Sequence, residues 1–279
     1  MEPVSEAAQR HKPHGADVKS TVRTLLVLET LADGIGRSLT ELSTTLGLPK
    51  SSLHAILQTM LARDWLAFDV TRTLYTLGVR ALVTGHAYLA GDDIVQVADR
   101  ALDALGNALD ETIHLGRLTG SDIVYLAKRE SSHPLRLVSA VGRRLPAHTT
   151  ALGKVLLAEL ADETAFAQLT WPLVSMTPKT ITTRAALKDA LEAIREQGYA
   201  IDDDESTRGV RCFAVPIRTS TPALYAISCS IPEARMNSAL EQIVLRELRT
   251  ARDSIESWIN HDTTVSPKST SSATNVGSE

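Results

Sequence analysis

The sequence has little of what several classes of protein require. Its two cysteines, Cys212 and Cys229, lie in no CxxC motif and near no close pair of histidines, so we expect reduced thiols, no disulfide framework and no metal site. No apolar run approaches the roughly 20 residues of a membrane helix, and the beginning of the chain lacks a signal-peptide core. These absences predict a cytoplasmic protein with no membrane partner.

Aromatic residues and net charge are also scarce. The chain has 3 Trp, 5 Tyr and 3 Phe, too few and too scattered for a surface that stacks the bases of a single strand. Its net charge is −4, made up of +1 for residues 1–80 (9 Lys and Arg against 8 Asp and Glu) and −5 for residues 81–279 (20 against 25). Any nucleic-acid partner must therefore be argued from local pattern, and duplex DNA fits the sequence better than a single strand.

What is present fits two folded domains. A length of 279 residues suits about two domains of roughly 100–200 residues each, and 43% hydrophobic with 22% charged residues is ordinary for a folded chain. Residues 1–18 and 262–279 are predicted to be flexible tails, because neither has enough apolar residues to order itself. Between the tails we expect domains at 19–78 and 92–261, joined by a helix at 79–91.

Apolar spacing in the first domain predicts three helices and a hairpin. The first helix is expected to bury Val22, Leu25, Leu28 and Ala32. Ser38, with Glu41 three positions later, has the spacing of a capping box at the start of the second helix, and a turn at 47–49 leads into a third helix at 50–63. Two β-like runs within 65–77 surround a polar turn. This order of elements is that of a winged helix-turn-helix.

The rest of the chain mixes strand-like and helix-like segments. Strands are predicted at 112–118, 123–130, 135–140, 212–217 and 224–231. Helices are predicted at 94–109, 150–160, 163–169, 184–197 and 238–259. Because neighbouring strands occur both early and late, with helices flanking them, the pattern indicates an α+β domain with a largely antiparallel sheet.

Three stretches of sequence are specific when they are taken together. They are SLTELSTTLGLPKSSLH at 38–54, LPAHTTALGKVLLA at 145–158, and GYAIDDDE at 198–205 followed by GVRCFAVPI at 209–217 and AISCS at 226–230. In this order and at these separations the chain, from about residue 19 to 258, resembles the IclR family of transcriptional regulators. The resemblance implies an N-terminal winged helix that binds an operator, a linking helix and a C-terminal GAF-like domain that binds a small organic-acid effector. It also implies a homodimer or homotetramer.

The candidate DNA contacts lie on the third helix and in the hairpin. The polar face of that helix could be merely solvated, but the tight helix–turn–helix spacing favours a helix presented to the major groove of double-stranded operator DNA. The predicted contact residues are Lys50, Ser51, Ser52, His54, Gln58 and Arg72. Ala55 stands where the family frequently has Arg, so the operator sequence cannot be taken from relatives.

The candidate effector site begins at the helix predicted at 150–160. Its first backbone N–H groups could receive a carboxylate, although Thr150 and Gly153 could also simply cap and pack the helix. The resemblance places Asp202, Cys212, Ser228 and Ser230 in the pocket wall, while buried Cys and Ser are commonly just core residues. Leu137, Ala151 and Val210 are predicted to supply the apolar part of the wall. A carboxylate at Asp202 would favour a hydroxy acid or hydrated keto acid as the ligand.

Two other classes of function compete with this interpretation. His114, His148, Ser228, Ser230 and Asp202 include the residue types of a hydrolase, but no GxSxG or HExxH motif occurs, so no catalytic residue is assigned. A ligand-binding sensor without DNA contact would leave the amphipathic third helix unexplained. Gly153-Lys154 does not complete a phosphate-binding loop, because His148 and Val155 break the GxxxxGK[ST] pattern, and no cofactor is expected.

Overall fold

The computed structural model describes residues 18–262. The chain divides into two compact units between Asp92 and Asp93. Apart from residues 18 and 262 themselves, the predicted tails lie outside the described residues. Within the described part of the chain, no helix is long and apolar enough to cross a membrane.

The first unit has the predicted order of helices and hairpin. Its elements are α1 (Lys19–Leu31), α2 (Leu39–Leu46), α3 (Lys50–Leu61), β1 (Leu66–Asp69), β2 (Leu74–Leu77) and α4 (Val79–Ala90). The capping box is confirmed: the Ser38 hydroxyl accepts from the Glu41 N–H, and the Glu41 side chain accepts from the Ser38 N–H. Gly47 ends α2 in the left-handed region at φ 62°, which a glycine adopts without strain. Antiparallel β1 and β2 form the wing.

The core of the first unit corrects one prediction about α1. Helices α2 and α3 bury Leu42, Leu53, Leu57 and Met60, as their spacing predicts, and β1 and β2 add Leu66 and Tyr75. Helix α1 contributes Val27 and Leu31 to the buried core, and the predicted Leu28 packs against it half-buried, whereas the predicted Leu25 is 52% exposed and Ala32 is exposed. Its sequence carries two overlapping apolar stripes, and the contacts with α2 and α3 select the one that periodicity did not favour.

The second unit is built on one antiparallel sheet. Its strands are β3 (Thr112–Thr119), β4 (Asp122–Arg129), β5 (Arg144–Pro146), β6 (Ala200–Asp203), β7 (Val210–Ile217) and β8 (Tyr225–Pro232). They are ordered β5-β4-β3-β8-β7-β6. Its helices are α5 (Asp93–Leu109), α6 (Ala151–Ala158), α7 (Asp162–Gln168), α8 (Arg184–Gln197) and α9 (Ser238–Asp262). The fold is therefore α+β, as the sequence predicts.

Alternation along the strands gives the sheet two different faces. Cys212, Ala214 and Ala226 pack in one cluster with residues of α6, α7 and α8. Helices α5 and α9 contact each other and the strands of the same sheet. Register places Asp202 beside Cys212, Cys212 beside Ser230, and Ser230 beside Thr112. A row of polar side chains therefore crosses four neighbouring strands on the face that carries α6.

Three strand assignments in the second unit differ from the predictions, one of them the short strand β5, which was not predicted. Residues 135–140, predicted as a strand, lie within the non-strand connection between β4 and the short strand β5. Leu135 and Val138 are exposed, so their side chains do not have the buried partners that would order a strand there. Conversely, the acidic run at 202–205, which resembles a solvated turn, begins inside β6, and Asp202 is 1% exposed.

Candidate functional site

The first candidate site is the exposed face of α3. Opposite the buried Leu53, Leu57 and Met60, the helix exposes Lys50, Ser51, His54 and Gln58, and Ser52 is half-buried at its edge. Arg72 is exposed in the hairpin turn, where its guanidinium lies 3.9 Å from the Asp69 carboxylate. Most of the predicted DNA contacts thus share one solvent-facing helix surface.

The second candidate site is a cavity in the second unit. It is a narrow space between the start of α6 and the strands of the sheet. Seven of the predicted effector-binding residues line it: Leu137, Thr150, Ala151, Asp202, Cys212, Ser228 and Ser230. The prediction missed Tyr125, Ser139, Arg143, Leu145, Leu152, Ser206 and Thr207, which also line it.

Two predicted wall residues lie elsewhere. Val210 lines a separate open cleft with Leu135, Arg136 and Arg208, and its side chain packs against the core cluster that contains Cys212. Gly153 does not line the cavity. A Cβ there would lie 2.0 Å from the carbonyl oxygen of Ala147, and the Gly153 N–H already donates to the Thr150 hydroxyl at 2.9 Å. Position 153 therefore requires glycine, because the backbone packs too closely at the start of α6 to leave room for a side chain.

The start of α6 offers backbone donors to the cavity. Thr150 caps the helix, and its carbonyl accepts from the Lys154 N–H. The preceding N–H groups, of Ala151 and Leu152, have no hydrogen-bond acceptor among the described residues, and both residues line the cavity. Unpaired N–H groups at a helix start favour an anionic partner, because the helix dipole adds to their positive charge.

Asp202 is held by its own turn. Its carboxylate accepts from the N–H groups of Glu205 (2.8 Å) and Ser206 (3.1 Å) and from the Ser206 hydroxyl. Burial raises the pKa of Asp202 above its ordinary value, and these hydrogen bonds oppose that rise. Burial, together with the Asp202 charge, raises the pKa of the Cys212 thiol well above its usual range, and the thiol donates to Ser230 at 3.2 Å. Cys212 is therefore a neutral donor and not a nucleophile.

A buried ion pair supports the same turn. Lys154 of α6 pairs with Glu205, and both side chains are less than a tenth exposed. Burial raises the pKa of Glu205 most strongly, while the charge and hydrogen bond of Lys154 lower it. The backbone carbonyls of Asp204 and Glu205 accept from the Thr177 hydroxyl, and Thr180 donates to the Glu205 carbonyl. Gly153-Lys154 is thus part of the scaffold of the cavity and not a phosphate loop.

The histidines are not placed as a catalytic base would be. His114 Nε2 lies 2.6 Å from the Ser139 hydroxyl, its ring stacks on Tyr125, and His148 Nε2 lies 2.9 Å from the Val174 carbonyl. Burial lowers the pKa of His114 to about 3, so this ring is neutral at pH 7. Neither histidine hydrogen-bonds to Ser228, Ser230 or Asp202. Within the described residues, no group of three or more His, Cys, Asp or Glu side chains could hold a metal ion.

Comparison with known proteins agrees with both units. The model of the IclR helix-turn-helix domain matches residues 20–70, and that of the bacterial transcriptional regulator IclR C-terminal domain matches residues 86–257. The chain is 36% identical to the HTH-type transcriptional regulator XynR of Escherichia coli K12, over 80% of this chain and 89% of that protein. It is 33% identical to KdgR of the same organism, over 88% and 94%.

Solved structures extend this agreement to the fold. A transcriptional regulator from Rhodococcus sp. RHA1 matches with a TM-score of 0.74 at 30% identity, over 88% of this chain and 100% of that one. An IclR homologue from Microbacterium hydrocarbonoxydans, solved in complex with 4-hydroxybenzoate, matches with a TM-score of 0.72 at 23% identity, over 87% and 99%. A helix-turn-helix unit, an α+β effector-type unit and these relatives lead to one conclusion: the chain belongs to the IclR family of transcriptional regulators.

Proposed function

We propose that the protein controls transcription by binding operator DNA through α3 and that a small organic acid in the cavity changes this binding. The observation that carries the proposal is the pairing of two sites of different character, an exposed polar helix face and a buried polar cavity, in separate units of one chain. An operator partner implies that the protein acts in the bacterial cytoplasm, where the chromosome is.

The exposed side chains of α3 are proposed to make two kinds of DNA contact, with phosphates and with base edges. Lys50, at the start of the helix, suits a phosphate contact, whereas Gln58, about two turns further on, suits hydrogen bonds to base edges. Lys50→Ala should therefore weaken binding to specific and random duplexes alike and reduce the salt slope by about one unit. Gln58→Ala should instead reduce the discrimination between operator and random DNA. Unchanged affinity in both variants would contradict this assignment of α3.

The operator-binding form is proposed to be a symmetric dimer, or a pair of dimers. Helix-turn-helix proteins usually read two half-sites, so one winged helix covers too little DNA. In α4 no residue is buried, and Val79, Leu82 and Val83 are 63%, 72% and 63% exposed. An apolar stripe of this kind is typical of a surface covered by another subunit. Leu82→Glu should lower the association state measured by light scattering and weaken operator binding.

The effector is proposed to be a small organic acid. Its carboxylate would accept from the N–H groups of Ala151 and Leu152, its other oxygens would reach Ser228 and Ser230, and Leu137 would pack on its apolar part. The 4-hydroxybenzoate bound by the Microbacterium relative belongs to this chemical class and is a reasonable first compound to test. Ser230→Ala should cost on the order of 0.5–3 kcal/mol of effector binding, while operator affinity without effector stays unchanged.

Fluorescence anisotropy of labelled promoter DNA, with and without each acid, tests the proposal. The DNA is the promoter next to the gene itself, and a random duplex of equal length is the control. The expected result is specific binding that at least one acid changes. No binding to that promoter, or turnover of an acid in a parallel product assay, would favour a sensor or a hydrolase instead.

A further inference from the structure

Several polar groups that line the cavity have no hydrogen-bond partner within residues 18–262. The hydroxyls of Ser228 (2% exposed) and Tyr125 (5% exposed) have no hydrogen-bond partner among the described residues, and neither have the N–H groups of Ala151 and Leu152. The two hydroxyls open onto the cavity, and a group of unpaired donors around one space suits a ligand that carries several acceptors. Asp202 is the one carboxylate in the cavity lining, and most of its acceptor capacity is taken by its own turn.

Arg143 adds a positive charge to this set of donors. Its guanidinium donates to the Val138 carbonyl at 3.2 Å, and within residues 18–262 no carboxylate lies within ion-pair distance of it. Its neighbours differ: Arg144 pairs with Asp122 at 3.0 Å, and Lys128 and Arg136 both pair with Glu130. Within residues 18–262, Arg143 is thus the basic residue that lines the cavity, and it has no acidic partner.

The backbone fixes where Arg143 lies. The Arg143 N–H donates to the Ala140 carbonyl, closing a turn in which Gly142 has φ 84°, a value that favours glycine. The Arg143 carbonyl then accepts from the Tyr125 N–H at 3.1 Å. This pairing holds Arg143 against β4, immediately before β5. Arg143 is an exposed residue that also lines the cavity, and its guanidinium has donors left over for an anion bound there.

The two charged residues of the cavity lie toward opposite edges of the sheet. Arg143 precedes β5, one edge strand, and Asp202 is in β6, the other. Tyr125 lies between them: burial raises the pKa of its hydroxyl, the Arg143 charge lowers that pKa, and the Asp202 charge raises it. The cavity therefore has a positive and a negative end, with hydroxyl donors in between.

We infer that Arg143 is the counter-ion of the effector carboxylate and thereby the residue that selects a charged acid over a neutral analogue. The carboxylate lies toward Arg143 and the start of α6, and a hydroxyl at the other end donates to the remaining lone pair of Asp202. A second carboxylate is disfavoured, because Asp202 would repel it. This inference rests on the proposed effector function and adds the residue that sets the charge of the ligand.

Calorimetric titration of the full chain tests the inference. The probes are pyruvate, lactate and 4-hydroxybenzoate, the neutral amide of each, and the dicarboxylates malonate and terephthalate. At least one monocarboxylate should bind the wild type, and its amide and the matching dicarboxylate should bind at least tenfold more weakly. The amide comparison needs no substitution, so it remains decisive if a variant fails to fold. An amide that binds as tightly as its acid would overturn the inference.

Three variants separate a specific ion pair from general charge. Arg143→Gln should weaken binding of the acid at least tenfold, as expected for a lost charge-assisted hydrogen bond, and Arg143→Lys should keep most of the affinity. Arg136→Gln removes a positive charge from the same connection but outside the cavity, and should leave affinity within about twofold. Equal affinity of Arg143→Gln and wild type, or an equal loss in Arg136→Gln, would overturn the inference.

The same titrations distinguish this inference from the proposed function. Acid binding that depends on Arg143, together with operator affinity that no acid changes, would support the role of Arg143 and contradict the proposed effector function. Acid binding that changes operator affinity but is unaffected by Arg143→Gln would support the proposed effector function and contradict the role of Arg143. Failure of every acid to bind the wild type would contradict both.

Discussion

The two candidate sites differ in how the chain builds them. The α3 surface takes its side chains from one helix, exposes them to solvent and leaves the packing of Leu53 and Leu57 to the opposite face. The cavity takes its lining from β4, β6, β7, β8, the start of α6 and the connection before β5, and most of those side chains are buried. Recognition and stability are thus separable in the first unit and linked in the second.

Backbone close to the cavity should tolerate the least change. Gly153→Ala would place a methyl carbon 2.0 Å from the Ala147 carbonyl oxygen, so the start of α6 must move. We expect a loss of more than about 4 kcal/mol in the free energy of unfolding of the second unit. Urea unfolding followed by circular dichroism measures it.

Gly91→Ala is the matched control for that substitution. Gly91 has φ −91°, and the nearest atom to an added Cβ is the Ala87 carbonyl oxygen at 3.4 Å, an ordinary contact. Its effect should stay within about 1 kcal/mol. If Gly153→Ala lowers the free energy of unfolding no more than Gly91→Ala does, the start of α6 can move to accept a side chain, and the close packing there does not limit stability.

Breaking the buried ion pair should cause the next largest loss of stability. Lys154→Met leaves the Glu205 carboxylate buried near Asp202 without its counter-charge, which should cost about 3–5 kcal/mol of unfolding free energy. Lys188→Met removes one partner of an exposed pair on α8, where Lys188 and Glu192 lie 3.7 Å apart, and should cost no more than about 0.5 kcal/mol. Similar losses of unfolding free energy in the two variants would show that the buried pair contributes no more to stability than the exposed pair.

Asp33 in the first unit and Asp202 in the second should contribute to the pH dependence of stability with opposite signs. A hydrogen bond from Arg37 lowers the pKa of Asp33 below its ordinary 3.8, so its stabilising contribution is present above pH 3.8 and is lost as pH falls through the lowered value. Burial raises the pKa of Asp202 above 3.8, so its contribution is present at and below pH 3.8 and is lost as pH rises through the raised value.

Asparagine variants test the sign of each residue's contribution to the pH dependence of stability. Relative to wild type, Asp33→Asn should become less stable as pH rises from 3 to 7, whereas Asp202→Asn should become more stable over the same range. Urea midpoints at pH 3, 5 and 7 provide the comparison. Parallel pH trends for both variants would contradict the assigned pKa directions.

The smallest effect is expected at the helix cap of the first unit. Ser38→Ala removes the hydroxyl that accepts from the Glu41 N–H and should cost about 1 kcal/mol of unfolding free energy. Ser51→Ala, on the exposed face of α3, should change stability by less than about 0.5 kcal/mol and weaken operator binding instead. A larger loss of stability in Ser51→Ala than in Ser38→Ala would show that the α3 face also supports the fold.

Sequence reasoning worked where the signal is local. The capping box at Ser38, the turn at Gly47 and the apolar face of α3 each depend on residues a few positions apart, and all are confirmed. The predicted stripe of α1 is confirmed at Leu28 but wrong at Leu25 and Ala32, because two apolar registers compete on that helix. Only contacts with distant residues such as Leu42 and Leu57 choose between them.

The cavity was predicted only in part, for a geometric reason. Alternation correctly places Ser228 and Ser230 on one face of β8. Tyr125 was missed because a register shift between β3 and β4, where Leu115 faces Ala127 but Gly116 faces Tyr125, changes which side chains share a face. Arg143 was missed because its role depends on the absence of a partner, which a sequence cannot display.

The order of the strands also has a consequence for how the protein is made. The centre of the sheet pairs β3, near the beginning of the second unit, with β8, near its end. During synthesis the winged-helix unit, whose contacts are local, can fold as soon as it leaves the ribosome, but β3 has to wait for β8. The cavity, whose lining includes Ser228 and Ser230 of β8, therefore forms only after the last strand has been made, well after the winged-helix unit.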